Sequence, residues 1–104
     1  MERPAFTLGV EEEFQITDPE TRGLRSHVQE ILDEGKLVLK ERVKPEMHQS
    51  VIEIGTGICR NIQEVRQDVG ELRTEIIRVA TKNGMRVASA GTHPFSNWAD
   101  QKIF

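Results

Sequence analysis

The sequence lacks several features that would point to particular functions. Its single cysteine, Cys59, cannot form an internal disulfide, so we expect a reducing, cytoplasmic environment. Lys and Arg together number 14 against 17 Asp and Glu, without a basic stripe, so we expect no nucleic-acid partner. The start "MERPAFTLGV" has no apolar region of a signal peptide, and no run is long enough to span a membrane. We therefore expect no membrane partner.

The composition itself is that of an ordinary globular protein. Of the 104 residues, 37% are hydrophobic and 30% are charged, with a formal net charge of -3. This is enough apolar material for one small core. Repeats, low-complexity segments and an obvious linker are absent from the sequence, so residues 1–104 are expected to belong to one domain.

Alternating hydrophobicity predicts three strands. The first is "AFTLGVEEEFQIT", residues 5–17, where even-numbered apolar residues face one way and odd-numbered polar residues the other. "HQSVIEIGTG", residues 48–57, and "MRVASA", residues 85–90, follow the same pattern. Between them the signal is weaker: "HVQEILDEG" predicts a short helical turn ended by Gly35, and "KLVLKERV" predicts a strand.

The segment from Asn61 to Gly84 is predicted to be a long helix. Asn61 is a favourable N-cap, and Glu64 stands three residues later, as in a capping box. Gly84 is a plausible residue just beyond the C-terminus. Gly70, in the middle, should cost about 1 kcal/mol relative to Ala, which indicates close packing there. One apolar stripe runs along the helix through Ile62, Val65, Val69, Leu72, Ile76 and Val79.

The order of these elements predicts an α+β fold. We expect a mainly antiparallel sheet with the long helix packed on one face. After Trp98 the given sequence ends at "QKIF", and three strands with one helix would cover a sheet poorly. We therefore expect residues 1–104 to be the N-terminal part of one larger catalytic domain, truncated or split, with an exposed sheet edge that could support a homo-oligomer.

An unusual acid cluster lies in the first strand, because glutamate is depleted in strands. Glu11 and Glu13 project from the same face, with Cα atoms roughly 6.6 Å apart. Glu12 faces the apolar side, so it must be paired, lie near a sheet edge, or lie at a bulge. Glu53 lies on the polar face of the second strand, and Glu46 lies just before that strand. If the two strands are neighbours, Glu11, Glu13 and Glu53 converge, and Glu46 lies within reach.

Such a cluster is costly unless something neutralises it. Two unit charges about 6.6 Å apart repel by roughly 2.5 kcal/mol at an effective dielectric near 20. A whole domain is stable by only about 5–15 kcal/mol. Protonation, basic partners or a divalent cation must therefore compensate, and oxygen-only ligands suit Mg²⁺ or Mn²⁺. His93, in "AGTHPF", could add a nitrogen ligand or contact a phosphate.

Simpler interpretations remain open at this point. The glutamates could be solvated or neutralised by Arg22, Arg25 or Lys44 on an open surface. His93 alone is more typical of a residue that hydrogen-bonds its own loop, His48 of an edge strand, and His27 of the surface. Cys59 lies near the N-terminus of the predicted long helix, where a thiol pKa can be lowered, but a small packing residue is the simpler interpretation.

Three blocks of sequence resemble a known family. They are "TLGVEEEFQITDPETRGL", "VKPEMHQSVIEIGTGIC" and "ASAGTHPFSNW", and they are similar to the N-terminal part of the glutamate–cysteine ligase type 2 family, the carboxylate-amine ligases. The blocks occur in the family's order, and the predicted long helix fits between the second and third. The resemblance covers nearly the whole chain.

The resemblance implies a glutamine-synthetase-like catalytic domain whose sheet holds divalent metal ions, Mg²⁺ or Mn²⁺, between ATP and an amino acid. The implied reaction is ATP-dependent formation of γ-glutamylcysteine from glutamate and cysteine, or another amine, through an acyl phosphate. By position, Glu11, Glu13, Glu53 and Glu46 resemble metal ligands of the family. His93 resembles a catalytic histidine near the metal and the phosphates.

Two alternatives accompany this expectation. The same acids could serve another metal-dependent phosphoryl transfer, such as that of a kinase or phosphatase. The chain could also be an inactive remnant that binds metal or acts as an interaction module through its helix and open edge. Because the family's catalytic domain continues well beyond residue 104, we expect little or no ligase activity from this polypeptide alone.

Overall fold

The computed structural model describes residues 6–26, 29–45 and 48–103, which form an α+β unit. The prediction of this fold class is confirmed. Its elements are, in chain order, strand β1 (Glu11–Thr17), helix α1 (Gln29–Leu39), a 3₁₀ turn (Lys40–Arg42), strand β2 (Val43–Pro45), strand β3 (Val51–Gly55), helix α2 (Ile62–Lys82), strand β4 (Arg86–Ala88) and a second 3₁₀ turn (Trp98–Asp100).

The four strands form one antiparallel sheet in the order β2-β3-β1-β4. β1 is therefore central and pairs with β3 on one side and β4 on the other. Its register places Phe14 opposite Ile52, and Ile16 opposite Val87. Residues that are paired across an antiparallel sheet project to the same face, so these apolar side chains share one face of the sheet.

Both helices supply apolar side chains to the core on that same face. α1 contributes Ile31 and Leu32, and α2 contributes Leu72 and Ile76; all four side chains are buried. The core cluster consists of Phe14, Ile16, Ile31, Leu32, Leu39, Val43, Ile52, Ile54, Leu72, Ile76, Val79, Ala80 and Met85. The opposite, odd-numbered face of β1 is left for polar residues, as the alternation predicts.

Helix α2 begins and ends as its sequence indicates. The Asn61 side chain accepts a hydrogen bond from the Glu64 backbone amide at 2.9 Å. At the other end, Gly84 has φ 72, a left-handed conformation that glycine adopts without the Cβ penalty. The amides of Gly84 and Met85 donate to the carbonyls of Thr81 and Ala80, the pair of bonds that defines a Schellman motif.

The prediction for residues 27–43 is wrong in two respects. Residues 27 and 28 lie outside the described part of the chain, but α1 runs straight through Gly35 to Leu39, and only Val43 of "KLVLKERV" enters a strand. A Cβ on Gly35 would lie 3.3 Å from a methyl carbon of Val43. Glycine is thus present because α1 packs closely on β2, and that tertiary contact overrides its weak helix propensity.

Two further expectations are corrected by packing. Gly70 is exposed, and a Cβ there would meet nothing within 4 Å, so this glycine does not mark a close contact. The apolar stripe of α2 is buried only from Leu72 onward, and Ile62 at its start is 66% exposed.

The predicted strands are also shorter than their alternation suggests. β1 begins at Glu11, although before it Leu8 forms an isolated antiparallel bridge with Cys59. The backbone amides and carbonyls of those two residues exchange hydrogen bonds of 2.7 and 2.9 Å. Among the described residues, no helix has the length and apolar character needed to cross a lipid bilayer.

Candidate functional site

The polar face of the sheet carries a row of charged residues across three strands. Glu13 on β1 is the register partner of Glu53 on β3, and Glu53 is in turn the partner of Lys44 on β2. Glu11, two residues before Glu13, lies opposite Gly55 and shares this face. The structure thus brings Glu11, Glu13 and Glu53 onto one face of two neighbouring strands. We call these three residues the acid row.

The surroundings of Glu53 on this face oppose its ionisation. Burial raises the pKa of Glu53, and a hydrogen bond with Glu11 and the negative charges of Glu11 and Glu13 raise it further, while Lys44 acts in the opposite direction. A hydrogen bond between two carboxyl groups requires a proton on one of them. Glu53 therefore holds a proton more readily than an isolated glutamate does.

The positions of these side chains do not by themselves establish a metal-binding site. Among residues 6–26, 29–45 and 48–103, no group of three or more His, Cys, Asp or Glu side chains is arranged so that it could hold a metal ion. Glu46, the fourth predicted ligand, lies outside the described residues. The binding of a cation by Glu11, Glu13, Glu46 and Glu53 stays a prediction.

Two observations bear on whether a divalent cation fits here. The donor atoms are carboxylate oxygens, which are the ligands that Mg²⁺ and Mn²⁺ prefer. Burial is the largest cause of the raised pKa of Glu53, and the negative charges of Glu11 and Glu13 add to it against the effect of Lys44. The chemistry of these residues therefore fits a hard divalent cation, which would compete with the proton on Glu53.

Glu12, the remaining glutamate of the run, forms an ion pair with the long helix. It projects from the opposite face of β1 toward α2, where Arg73 donates two hydrogen bonds to its carboxylate, of 2.7 Å from Nε and 2.6 Å from Nη2. The Ser89 hydroxyl donates a third, at 2.9 Å. Of the three alternatives for Glu12, the structure shows a paired side chain, and Glu12 does not lie on the polar face with Glu11 and Glu13.

His93 holds two loops together through both of its ring nitrogens. Nδ1 lies 3.2 Å from the Phe95 amide nitrogen and 3.0 Å from the Ser96 amide nitrogen, so it accepts from both. Nε2 lies 2.7 Å from the Arg22 carbonyl oxygen, to which it must donate. A neutral ring protonated on Nε2 satisfies all three contacts. A catalytic role for His93 stays a prediction, and it would require one nitrogen to be released.

A cavity of about 310 Å³ lies beside the acid row. Its wall includes Glu13 and Gln15 of β1, Ser50 at the entrance to β3, and Trp98 of the loop after β4. Sequence reasoning missed Gln15, Ser50 and Trp98. Gln15 had a usable signal, since it shares the parity of Glu11 and Glu13, whereas Ser50 and Trp98 are brought in only by the fold.

A second cavity, of about 600 Å³, lies at the other end of the acid row. Glu11 and Glu41 contribute negative charge to its wall, and Arg42 and Lys44 contribute positive charge. Arg42 is tied to Asp68 of α2 by a 2.6 Å ion pair, which fixes this corner of the sheet against the helix. The acid row thus lies between two cavities of different charge balance.

Comparison with known sequences identifies the family. The sequence profile of glutamate-cysteine ligase family 2 matches residues 7–104. The chain belongs to this family. The resemblance drawn from "GVEEEF", "EMHQSVIE" and "GTHPF" is therefore confirmed.

Several curated relatives of the family are similar over nearly all of this chain. A protein of Solibacter usitatus named "Putative glutamate--cysteine ligase 2" is 56% identical over 103 residues, which are 98% of this chain and 27% of that protein. Proteins of the same name from Herpetosiphon aurantiacus and Chloroflexus aurantiacus are each 54% identical over 99 residues. The chain spans about a quarter of the length of these relatives.

Proposed function

We propose that this chain is the N-terminal part of an ATP-dependent carboxylate-amine ligase of glutamate-cysteine ligase family 2, located in the cytoplasm. The substrates would be glutamate and cysteine, or another amine in place of cysteine. The names of relatives that are 54–56% identical support the ligase class. The single observation that carries the proposal for this chain's own residues is the position of Glu11, Glu13 and Glu53 on one polar face.

The proposed reaction has two steps. The γ-carboxylate of glutamate attacks the γ-phosphorus of ATP, so that a C–O–P linkage forms and ADP leaves. The amine then attacks the acyl carbon of this acyl phosphate and loses a proton, so that the amide bond forms and phosphate leaves. Neither step needs a nucleophile from the protein, which agrees with the burial of Cys59.

Glu11, Glu13 and Glu53 would hold a Mg²⁺ or Mn²⁺ ion, together with Glu46. Such an ion, when bound, neutralises negative charge on the phosphoryl group that is transferred. The protein's own contribution is electrostatic. A proton on Glu53 avoids the repulsion by Glu11 and Glu13 when no cation is bound, and its release makes the Glu53 carboxylate available as a ligand.

Other residues would position this site. The Glu12–Arg73 ion pair fixes the central strand against α2, so the residues on its other face have a defined direction. His93 fixes the loop after β4 to the turn after β1, and that loop forms part of the wall beside Glu13. Preorganised groups of this kind cost no reorganisation during the reaction.

The first test is metal binding by the chain itself. Titration with Mg²⁺ and Mn²⁺, followed by calorimetry, should show binding that weakens as the pH falls, because protons compete with the cation for Glu53. Glu53→Gln should reduce binding strongly, while Glu20→Gln, in the exposed turn after β1, should leave it unchanged. Binding that is equal in all three proteins would contradict the proposed ligand set.

The second test concerns the reaction. A chimera in which this chain replaces the matching quarter of the Solibacter usitatus relative should form glutamyl hydroxamate from ATP, glutamate and hydroxylamine, because hydroxylamine intercepts an acyl phosphate. Glu53→Gln in the chimera should abolish the product. If the unmodified relative forms hydroxamate and a folded chimera does not, the proposal is wrong for this chain. Release of phosphate without hydroxamate would favour another phosphoryl transfer.

A further inference from the structure

The turn after β1 and the loop after β4 enclose a further cavity, of about 650 Å³. Its floor includes Thr17 of β1 and Arg86 of β4, which are register partners in the sheet. Thr17 follows Glu13 by four residues, so their Cα atoms lie roughly 13 Å apart along the strand. The cavity is therefore a different place on the sheet from the acid row.

The charged residues of this cavity wall are mainly basic. Arg22 and Arg86 both line it, and neither forms an ion pair with another residue in the described part of the chain. Asp18 is the carboxylate in the same wall, but it already accepts hydrogen bonds from two backbone amides of its own turn and pairs with Arg25 at 3.6 Å. Two guanidinium groups thus face a cavity whose one described carboxylate is already engaged.

The backbone of Arg22 is held in a conformation that is uncommon for a residue with a side chain. Its φ is 62, in the left-handed region that favours glycine. The Arg22 amide donates to the Asp18 carbonyl at 2.8 Å, and its carbonyl accepts from His93 Nε2 at 2.7 Å. An arginine retained where glycine would be easier supports a use for the side chain itself.

The two sides of the cavity are joined, so its shape is already formed. The His93 contact links the loop after β4 to the turn after β1, and the Leu24 amide donates to the Ser96 hydroxyl at 3.0 Å. A cavity with fixed walls binds a ligand without first having to order them.

Apolar side chains make up much of the remaining wall. Phe95 is 67% exposed, and its ring lies edge-on to that of His93 with centroids 4.4 Å apart. Pro19, Val87 and Pro94 add further apolar surface. A volume of about 650 Å³ lies in the usual range for small-molecule sites. These walls therefore suit a molecule that has an apolar body in addition to a charged group.

We propose that this cavity binds a small organic anion, a carboxylate or a phosphate monoester, with its anionic group between Arg22 and Arg86 and its apolar body against Phe95. The planar guanidinium group matches the geometry of both kinds of anion. The inference goes beyond the proposed function, because it involves neither the acid row nor a metal ion.

The experiment uses small anions that differ in one property at a time. We would titrate the 104-residue chain, with EDTA present, with benzoate, phenyl phosphate, inorganic phosphate and benzylamine, and follow backbone amide shifts by NMR. At least one of the two aromatic anions should shift the amides of residues 86–88 and 92–96 in a saturable manner, and the tighter of the two identifies the anionic group. Inorganic phosphate should bind more weakly than the tighter aromatic anion, because it lacks the apolar body, and benzylamine should not bind.

Variants of the two arginines separate binding from folding. Arg22→Gly should weaken anion binding by about tenfold, because a charge-assisted hydrogen bond is lost, while its melting temperature should be maintained or raised, because glycine favours this φ. Arg22→Asn, which also tolerates the left-handed region, should behave in the same way. Arg86→Gln should weaken binding by a similar factor. Arg66→Gln, on the exposed face of α2, is the matched charge control and should bind as the parent does.

Three outcomes overturn the inference. They are the absence of saturable binding by both aromatic anions, affinity for benzylamine or inorganic phosphate equal to that for the tighter aromatic anion, and unchanged affinity in both Arg22→Gly and Arg86→Gln. Since the titrations contain no divalent cation or nucleotide, these outcomes leave the metal and ligase proposals to their own tests.

Discussion

Arg73 of α2 donates hydrogen bonds to both carboxylate oxygens of Glu12 on β1, with donor–acceptor distances of 2.7 and 2.6 Å. The Glu12 side chain is only 15% exposed, whereas that of Arg73 is 52% exposed. This pair links the long helix to the middle of the sheet through the face that also holds the core.

The Glu12–Arg73 pair should make stability depend on pH. The hydrogen bond from Arg73 holds the pKa of Glu12 below its ordinary value, with the Ser89 hydroxyl acting in the same direction against burial. The stabilisation is therefore present near neutral pH and is lost as the pH falls through the lowered pKa. Glu12→Gln should reduce the free energy of unfolding by about 1 kcal/mol at pH 7, measured by urea denaturation.

That difference should shrink toward zero at acid pH, because Glu12 is then protonated in both states. Arg73→Lys, which keeps the charge but loses the two-pronged contact, should fall between the parent and Glu12→Gln. Glu20→Gln serves as the control for a change of net charge. An equal loss at neutral and acid pH would show that Glu12 acts through packing and not through its charge.

The ionisation of Glu53 should make stability depend on pH in the opposite sense to that of Glu12. Its pKa is raised chiefly by burial and then by Glu11 and Glu13, so the folded state binds its proton more tightly than the unfolded state does. Stability is therefore lost as the pH rises from the ordinary glutamate pKa through the raised value. With EDTA present, Glu53→Gln should raise the melting temperature at pH 7, and this gain should disappear below the ordinary pKa of glutamate.

Adding Mg²⁺ should then reverse the ranking of the two proteins. The parent should be stabilised by the bound ion according to mass action, while Glu53→Gln should gain little. A parent chain whose melting temperature is indifferent to millimolar Mg²⁺ across this pH range would count against the metal proposal.

The two glycines inside helices should respond oppositely to alanine. Gly70 is exposed with open space at its Cβ position, so Gly70→Ala should stabilise the chain by about 1 kcal/mol through helix propensity. A Cβ on Gly35 would lie 3.3 Å from Val43, so Gly35→Ala should lose this gain or destabilise the chain. Urea denaturation of the two variants provides the comparison, and equal effects would contradict the packing of α1 on β2.

The hydrogen bond at the N-cap of α2 should contribute to stability, and two substitutions of Asn61 test this. Asn61→Ala removes the acceptor for the Glu64 amide and should cost about 1 kcal/mol. Asn61→Asp keeps an oxygen acceptor in place and should retain most of the stability. Thermal unfolding of the three proteins is the measurement, and a loss of equal size in both variants would exclude capping as the cause.

The features predictable from the sequence are those with local causes. Asn61 and Gly84 are recognised as helix ends because capping depends on residues a few positions away. The alternation of residues 11–17 correctly separates Glu11 and Glu13 from Phe14 and Ile16, because strand geometry fixes which side each residue takes. The position of Glu53 relative to Glu13 then needs only the pairing of two adjacent strands.

The features that were missed depend on contacts distant in the sequence. Nothing near Gly35 indicates that Val43 packs against it, so the sequence alone predicts a helix end at a glycine that lies inside α1. The partner of Glu12 is 61 residues away, and a need for a partner does not identify Arg73. The hydroxyl of Ser50, buried with no hydrogen-bond partner among the described residues, is a property of the folded interior, which a single sequence does not reveal.

The position of β1 in the sheet has a consequence for how this protein can vary. Because Phe14 and Ile16 alternate with Glu13 and Gln15 on the same strand, inserting or deleting one residue within β1 would exchange the two faces. Carboxylates would enter the hydrophobic core while aromatic and aliphatic side chains entered the water-facing row. We therefore expect β1 to tolerate substitutions far better than length changes, and natural indels to fall in the flanking turns.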